Sequence, residues 1–397
     1  MVAKETARRG AKRAAIQPTL APRAAPAIAS ESKGRQGPSS SERRGSLLGK
    51  VCAFVGLSVC LISILQGSPP RLRTAAEVTK LRSAARLAAE LLQHLAPLAK
   101  PNVSTAELDE RAAAFISARG AKAAPLLYGG LLSGQPPRWL CCLWGYMWFG
   151  IIRILGLAFT DFLGAAVPLC GFPGSICVSV NEVVCHGIPG PRLLREGDLV
   201  NIDVTVNLDG YFGDSSLLVL VGVDGAFDED LPRGEEDGAQ TGQWDMEARI
   251  GRVSRECLFA GIREVRAGAR LGDVAAAVSA HAHANGYSVV RVMGGHGIGR
   301  SFHQPPAVFH VGSRGTGLLL EPGMVFTIEP MLNSGSDAIM VDADMWTMRT
   351  VDGSLSAQWE HMVLVLENGC EVLTWRDGEQ SSRLFPVESH RFPDEGI

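Results

Sequence analysis

Five residues of this 397-residue chain could do chemistry together: Asp203, Asp214, His296, Glu329 and Glu360. They sit in VNIDVTV, GYFGDSS, GGHGIGRSFH, VFTIEP and SAQWEH, and each segment reads as a strand or a strand edge. Four carboxylates and one imidazole are a costly way to build a dry core, because each unpaired buried charge costs several kcal/mol. Two divalent metal ions would remove that cost. Hard oxygen donors with one imidazole suit Co, Mn, Fe or Zn. Two ions held ~3.5–4 Å apart lower the pKa of a shared water and polarise a carbonyl. The residue types therefore point to metal-assisted hydrolysis.

The spacing supports this reading. Asp203 and Asp214 are separated by the turn signal Leu208-Asp209-Gly210. On the two strands of a hairpin, both carboxylates can share one face. A lone Asp in a strand is usually an edge or turn residue; two in apolar surroundings are harder to dismiss. His296 lies among glycines that let backbone approach a ligand closely, and His303 follows in SFHQPP. Glu329 ends an apolar strand before Pro330. Glu360 follows Trp359 within another predicted strand. Structural roles for these last two acids would need polar partners that their surroundings do not evidently offer.

The elements that must position these residues span about 74–376. The periodicity predicts one helix over 74–96, with Thr74 and Glu77 as a capping box, and a second from Ser104 or Thr105 to Gly120. Two more are predicted at roughly 245–266 and 271–285. Strands with β-branched residues fill the region from Cys170 to Thr374. The acidic, Gly-rich stretch 224–244 reads as a solvated insertion. Residues 377–397 read as a loose polar tail.

Residues 1–46 are rich in Ala, Arg, Ser and Pro and poor in acids, which describes either a disordered tail or an organelle targeting peptide. Residues 47–73 contain an apolar run, Val51–Leu65, short for a membrane span of ~20 residues. Residues 129–169 are aromatic-rich and apolar, and are compatible with a membrane hairpin, a hydrophobic insertion or translated non-coding sequence. Membrane contact through 51–65 or 139–160 is thus an expectation. The net charge of -3 gives no pull towards nucleic acid. The nine scattered cysteines form no Cys-x-x-Cys pair and suggest reduced thiols.

The segments GFPGSICVSVNEVVCHGIPG, VNIDVTVNLDGYFGDSS, GGHGIGRSFH, PGMVFTIEPM and DGSLSAQWEH closely resemble type I methionine aminopeptidases of the M24 peptidases. The resemblance runs from about Thr74 to Thr374, apart from the two insertions. It implies an α+β "pita-bread" fold, a pseudo-symmetric antiparallel sheet covered by helices, and removal of the initiator Met from nascent chains with a small second residue. It implies two divalent ions. Asp203 would chelate one, Asp214 and Glu360 would bridge both, and His296 and Glu329 would complete the other site, with Glu329 also shuttling a proton. His186 would contact the scissile amide and His303 the substrate carbonyl. Phe172, Cys177, Phe302 and Trp346 would wall the pocket for the Met side chain. Such a protein is expected to act as a monomer, with the ribosome as a further partner and without direct contact to nucleic acid.

Departures from the family pattern are Met362 for Thr, Gly294 for Cys and Gln304 for Glu. Joining Tyr128 to Cys170 restores the family's continuous run, so 129–169 is expected to interrupt the loop framing the pocket and, if Tyr128 is a pocket residue, could displace it. The same fold hosts aminopeptidase P and prolidase, and metal-free binding modules that have lost ligands. VNEVVCHGIP and the complete ligand set favour the Met-specific enzyme. The N-terminus lacks the paired Cys and His of a zinc finger, which together with the basic leader points to an organelle, plastid or mitochondrion, over the cytoplasm. A fluorescent fusion of residues 1–73 separates these destinations.

Overall fold

The computed structural model describes residues 70–126, 128, 171–223, 227, 245–377 and 379. The expectations for 1–46, 51–65, 129–169 and, apart from Phe227, 224–244 lie outside the described residues. Among the described residues no helix is long and apolar enough to cross a membrane.

Helix α1 (Ala75–Leu95) starts where the sequence predicts. The Thr74 side chain accepts from the Glu77 N–H while Glu77 Oε2 accepts from the Thr74 N–H, satisfying two otherwise orphaned donors. The fold begins slightly earlier than expected. Arg73 is buried, with its backbone N–H on the Gly323 carbonyl and Nη2 on the Ile298 carbonyl, both just outside the strands that carry site residues. Helix α2 (Thr105–Ala118) is capped by Ser104, which accepts from the Glu107 N–H. Helices α3 (Asp245–Ile262) and α4 (Leu271–Ala284) pack against each other.

After strand β1 (Lys122–Ala123) come those nearest the site, β2 (Cys177–Val180), β3 (Val183–Cys185), β4 (Leu199–Leu208) and β5 (Tyr211–Leu220), and β1 pairs with β4. The β4–β5 hairpin turns through Asp209 and Gly210, at φ 52° and 80°. Positive φ at both positions is the turn whose twist matches two paired strands, and Asp-Gly is suited to it. Along β4, Ile202, Val204 and Val206 are buried in the main core with Leu91 and Leu92 of α1. The alternate face is thus left to Asp203 and Thr205.

A second sheet follows the order β15 (Gly369–Val372), β14 (His361–Leu366), β9 (Val325–Ile328), β7 (Gly295–Gly297) and β8 (Gln304–Val308), all antiparallel. Strand β13 (Ser356–Gln358) precedes β14 and pairs with β10 (Met331–Asn333), which also pairs with β6 (Ser288–Val289), while β11 (Ile339–Val341) pairs with β12 (Met348–Thr350) and β12 with β3. Glu360 is not within a strand, as the sequence predicts, but at the break between β13 and β14. There its N–H donates to the Ser216 carbonyl at 3.2 Å. Together with Asn201 Nδ2 on the Gln358 carbonyl at 2.9 Å, this stitches the β4–β5 hairpin to the end of β13 and the start of β14. The mixed α+β class with antiparallel sheets and covering helices is the one expected.

Of the predicted polar tail only residues 377 and 379 are described. Glu379 is buried against Arg376, whose backbone N–H donates to Glu379 Oε2 at 3.0 Å, and the acid partners a buried guanidinium.

Candidate metal centre

Strand register brings the first two acids together. Asp203 lies opposite Ser216, and Asp214 opposite Thr205, so all four share one face of the hairpin. Thr205 Oγ1 donates to Asp214 Oδ1 at 2.7 Å. His296 enters from β7, and Glu329 follows the last residue of β9. Asp214, His296 and Glu360, all buried, each present one donor atom within 4.8 Å of the others. His296 Nε2 is 3.5 Å from Asp214 Oδ2 and 3.7 Å from Glu329 Oε1. The other ring nitrogen, Nδ1, is 3.1 Å from the Gly297 carbonyl. In the tautomer with the proton on Nδ1, this bond leaves the Nε2 lone pair directed at the carboxylates, as a metal ligand requires.

Several residues that sequence reasoning misses orient these groups. Thr327 Oγ1 accepts from the His296 N–H at 3.0 Å and donates to Glu329 Oε1 at 2.9 Å. Gln358 Nε2 donates to Glu329 Oε2 at 3.1 Å, and the Glu329 N–H donates to His310 Nε2 at 3.1 Å. Glu329 therefore does have polar partners, contrary to the sequence expectation. Thr327, two residues before Glu329 on the same strand face, is the one signal that could have shown this.

The electrostatics match a site built for cations. Burial raises the Asp203 pKa well above its ordinary value, and Asp214 and Glu329 add to it. Burial likewise raises Glu360, helped by Asp214, Glu329 and Asp203. Glu329 moves up through burial and Asp214, with His296 opposing. Burial disfavours charge on His296, yet Asp214 and Glu329 outweigh it and hold its pKa above normal. Asp203, Glu329 and Glu360, whose ionisation burial opposes, stand with Asp214 beside an imidazole whose Nε2 faces them, and together they form a donor set that fits divalent ions.

This has a measurable consequence. Asp203, Glu329 and Glu360 hold protons more tightly folded than unfolded. The stability they lend the metal-free fold is complete below the unfolded carboxylate range of ~4 and is lost as pH rises through the folded values. Burial pushes His310 and His361 down to about 3, so these two weaken the fold as pH falls, equally with and without metal. The gap in Tm between metal-loaded and chelator-treated protein isolates the carboxylates, and it should widen from pH 5.5 to 8. A tenfold difference in proton affinity is worth ~1.4 kcal/mol, and 1 kcal/mol moves Tm by roughly 2–4 °C. A widening of at least ~3 °C is expected in paired melting curves; a constant gap would contradict it.

An apolar wall stands beside the acids. Phe172, Cys177 and Trp346 form one buried cluster, with Tyr128 and Ile188 packed against it. Phe172 and Trp346 meet edge to face at 5.5 Å. Cys177 lies directly opposite Asp203 across the β2–β4 pair, so wall and carboxylate are neighbours in register. Phe302 belongs to an adjoining apolar cluster and reaches this one through Tyr128, at 5.1 Å between ring centroids. Tyr128 keeps a place beside this wall. Its carbonyl accepts from the Phe172 N–H at 3.0 Å, which pins the two flanks of 129–169 together, and its hydroxyl is 2.7 Å from His303 Nδ1. The His303 and His296 rings are 4.1 Å apart. His186 follows β3 at the unusual φ of 56°.

The departures from the family pattern are absorbed locally. Met362 is fully buried in the cluster that holds Phe302. A Cβ at Gly294 would collide with the Val308 carbonyl, so this backbone needs the glycine. Gln304 Nε2 lies 3.4 Å from the Ile298 carbonyl.

Antiparallel sheets that converge four carboxylates, Asp214 and Glu360 buried and Asp203 and Glu329 half-buried, and an imidazole beside an apolar wall define a metallohydrolase-type centre. Residues 79–367 match the model of metallopeptidase family M24, and the chain belongs to that family. It is 41% identical over 300 residues to methionine aminopeptidase A of Synechocystis sp., covering 75% of this chain and 94% of that one. It is 39% identical over 306 residues to methionine aminopeptidase of Escherichia coli strain K12, covering 77% and 94%. Among solved structures, methionine aminopeptidase from Rickettsia prowazekii superposes with a TM-score of 0.61 at 37% identity, covering 77% of this chain and all of that one. The fold is thus the pita-bread fold, and the chain is a metal-dependent exopeptidase.

Proposed function

We propose that this protein removes the N-terminal methionine from nascent polypeptides whose second residue is small, using two divalent ions drawn from Co, Mn, Fe and Zn. The observation that carries the reading is the register of Cys177 opposite Asp203. It sets a pocket of Phe172, Cys177 and Trp346 against the carboxylate cluster. A thioether is soft, flexible and uncharged, and such a wall suits it. Names of the relatives at 39–41% identity support the same substrate.

Asp203, Asp214, His296, Glu329 and Glu360 would hold the ions, with Asp214 and Glu360 shared between them. When bound, the ions supply an acidified water and a Lewis acid for the scissile carbonyl. Glu329, oriented by Thr327 and Gln358, would take up and return a proton at a carboxylate oxygen. With the Tyr128 hydroxyl donating to His303 Nδ1, the His303 proton rests on Nε2, available to the substrate carbonyl. His186 would contact the scissile amide. Phe302, with Tyr128, would close the far side of the pocket.

The test is hydrolysis of Met-Ala-Ser by the protein with added Co(II) or Mn(II). Free methionine should appear, and Met-Ala-Ser should be far preferred to Lys-Ala-Ser, whose charge the apolar wall would have to desolvate. A folded, metal-supplemented protein that releases no methionine would instead be a binding module.

A further inference from the structure

Arg376, Glu379 and His361 form a buried polar cluster that the chemistry above leaves unused. Arg376 Nη1 donates to Ser215 Oγ at 3.2 Å and to the Ser216 carbonyl at 3.1 Å. Its Nη2 donates to Glu379 Oε1 at 2.8 Å and lies 3.4 Å from His361 Nε2. Ser215 and Ser216 follow Asp214 in β5, and His361 follows Glu360. Two further bonds close the frame. Ser215 Oγ donates to the Glu360 carbonyl at 2.7 Å, and the Glu360 N–H donates to the Ser216 carbonyl at 3.2 Å. One guanidinium thus grips the chain immediately after both Asp214 and Glu360. Adjacent strand residues point to opposite faces, so Ser215 and its guanidinium partner stand on the far side of β5 from the Asp214 carboxylate.

A buried Arg–Glu pair is a poor device for stability alone, because desolvation of both charges offsets most of their attraction and apolar residues of similar size would serve as well. A planar fork that bonds two segments at fixed distance is better suited to setting geometry. We propose that Arg376, itself held by Glu379, is a positioning residue that sets the spacing of Asp214 and Glu360 and so the affinity for the more weakly held of two metal ions. This rests on the assignment of Asp214 and Glu360 as metal ligands.

The experiment uses the full chain and the double variant Arg376→Met/Glu379→Leu, which removes both charges and leaves neither one buried alone. Mn(II) binding is measured by titration calorimetry, and the geometry by the visible spectrum of the Co(II)-loaded protein. Outer partners of metal ligands commonly change affinity by ~10–100-fold. The double variant should melt near the parent and bind the weaker Mn(II) ~10–100-fold less tightly, with an altered Co(II) spectrum. Arg376→Lys, which keeps the charge but not the fork, should recover only part of the affinity. A folded double variant with parental Mn(II) affinities and Co(II) spectrum overturns the proposal and leaves the peptidase reading standing. A parent that binds no Mn(II) or Co(II) overturns both. Should the double variant not fold, Glu379→Gln is read the same way: weaker Mn(II) binding supports the brace, and parental binding overturns it.

Discussion

Glu360→Gln should yield a folded protein that holds fewer than two metal ions and hydrolyses Met-Ala-Ser at least ~10³-fold more slowly than the parent. The side chain keeps its volume, and the Glu360 backbone keeps its bonds to Ser215 and Ser216. What is lost is one of the charges that would neutralise two cations at once. Metal stabilisation of transition-state charge is worth several kcal/mol, and each ~1.4 kcal/mol is a factor of ten in rate. The substitution also removes an acid whose burial, beside Asp214, Glu329 and Asp203, opposes ionisation. The chelator-treated variant should therefore melt higher than the chelator-treated parent at pH 8. Reduced metal content, lost activity and a more stable metal-free fold together cannot arise from simple unfolding. Parental metal stoichiometry with a rate within tenfold of the parent would remove Glu360 from the ligand set. Asp214→Asn should likewise hold fewer metal ions and lose activity, with an added cost in the Thr205 contact.

Much of this site can be read from sequence because β-strands make residue spacing into geometry. Asp203 and Asp214 bracket Asp209-Gly210, a dipeptide suited to a tight hairpin turn, and the turn sets the register that places both acids on one face. Thr74 with Glu77, and Ser104, mark helix starts through local hydrogen bonds that need no tertiary knowledge. Glu329 and Glu360 can be nominated as inward acids but not assigned partners. Gln358 and His310 come from elsewhere in the chain, and only the folded strands bring them to Glu329. Arg376 and Glu379 are least legible of all. They lie where composition turns polar, and nothing local says that a guanidinium there folds back against β5. The survival of Tyr128 in the wall is another long-range outcome, since it depends on Phe172, His303 and Phe302 meeting it in space.

His303→Ala and His186→Gly should separate catalysis from metal binding. His303 stands beside His296, at 4.1 Å between rings, but its Nδ1 is taken by the Tyr128 hydroxyl, so its role is assigned to substrate and not to the ions. Removing one hydrogen-bond donor aimed at developing charge typically costs ~10²–10³ in kcat. His303→Ala should therefore lose ~10²–10³ in kcat on Met-Ala-Ser with two metal ions still bound. Tyr128→Phe should lose less, since the ring remains and only its tautomer is released. His186 adopts φ 56°, a conformation that costs a non-glycine residue ~1–3 kcal/mol and is retained mainly where function requires the side chain. Glycine adopts it without that cost. His186→Gly should thus match or exceed the parent in Tm while kcat falls by ~10² or more and metal content is unchanged. Metal loss in either histidine variant would move that residue into the ligand set. A His186→Gly enzyme with parental kcat would leave the strained backbone without a catalytic reason.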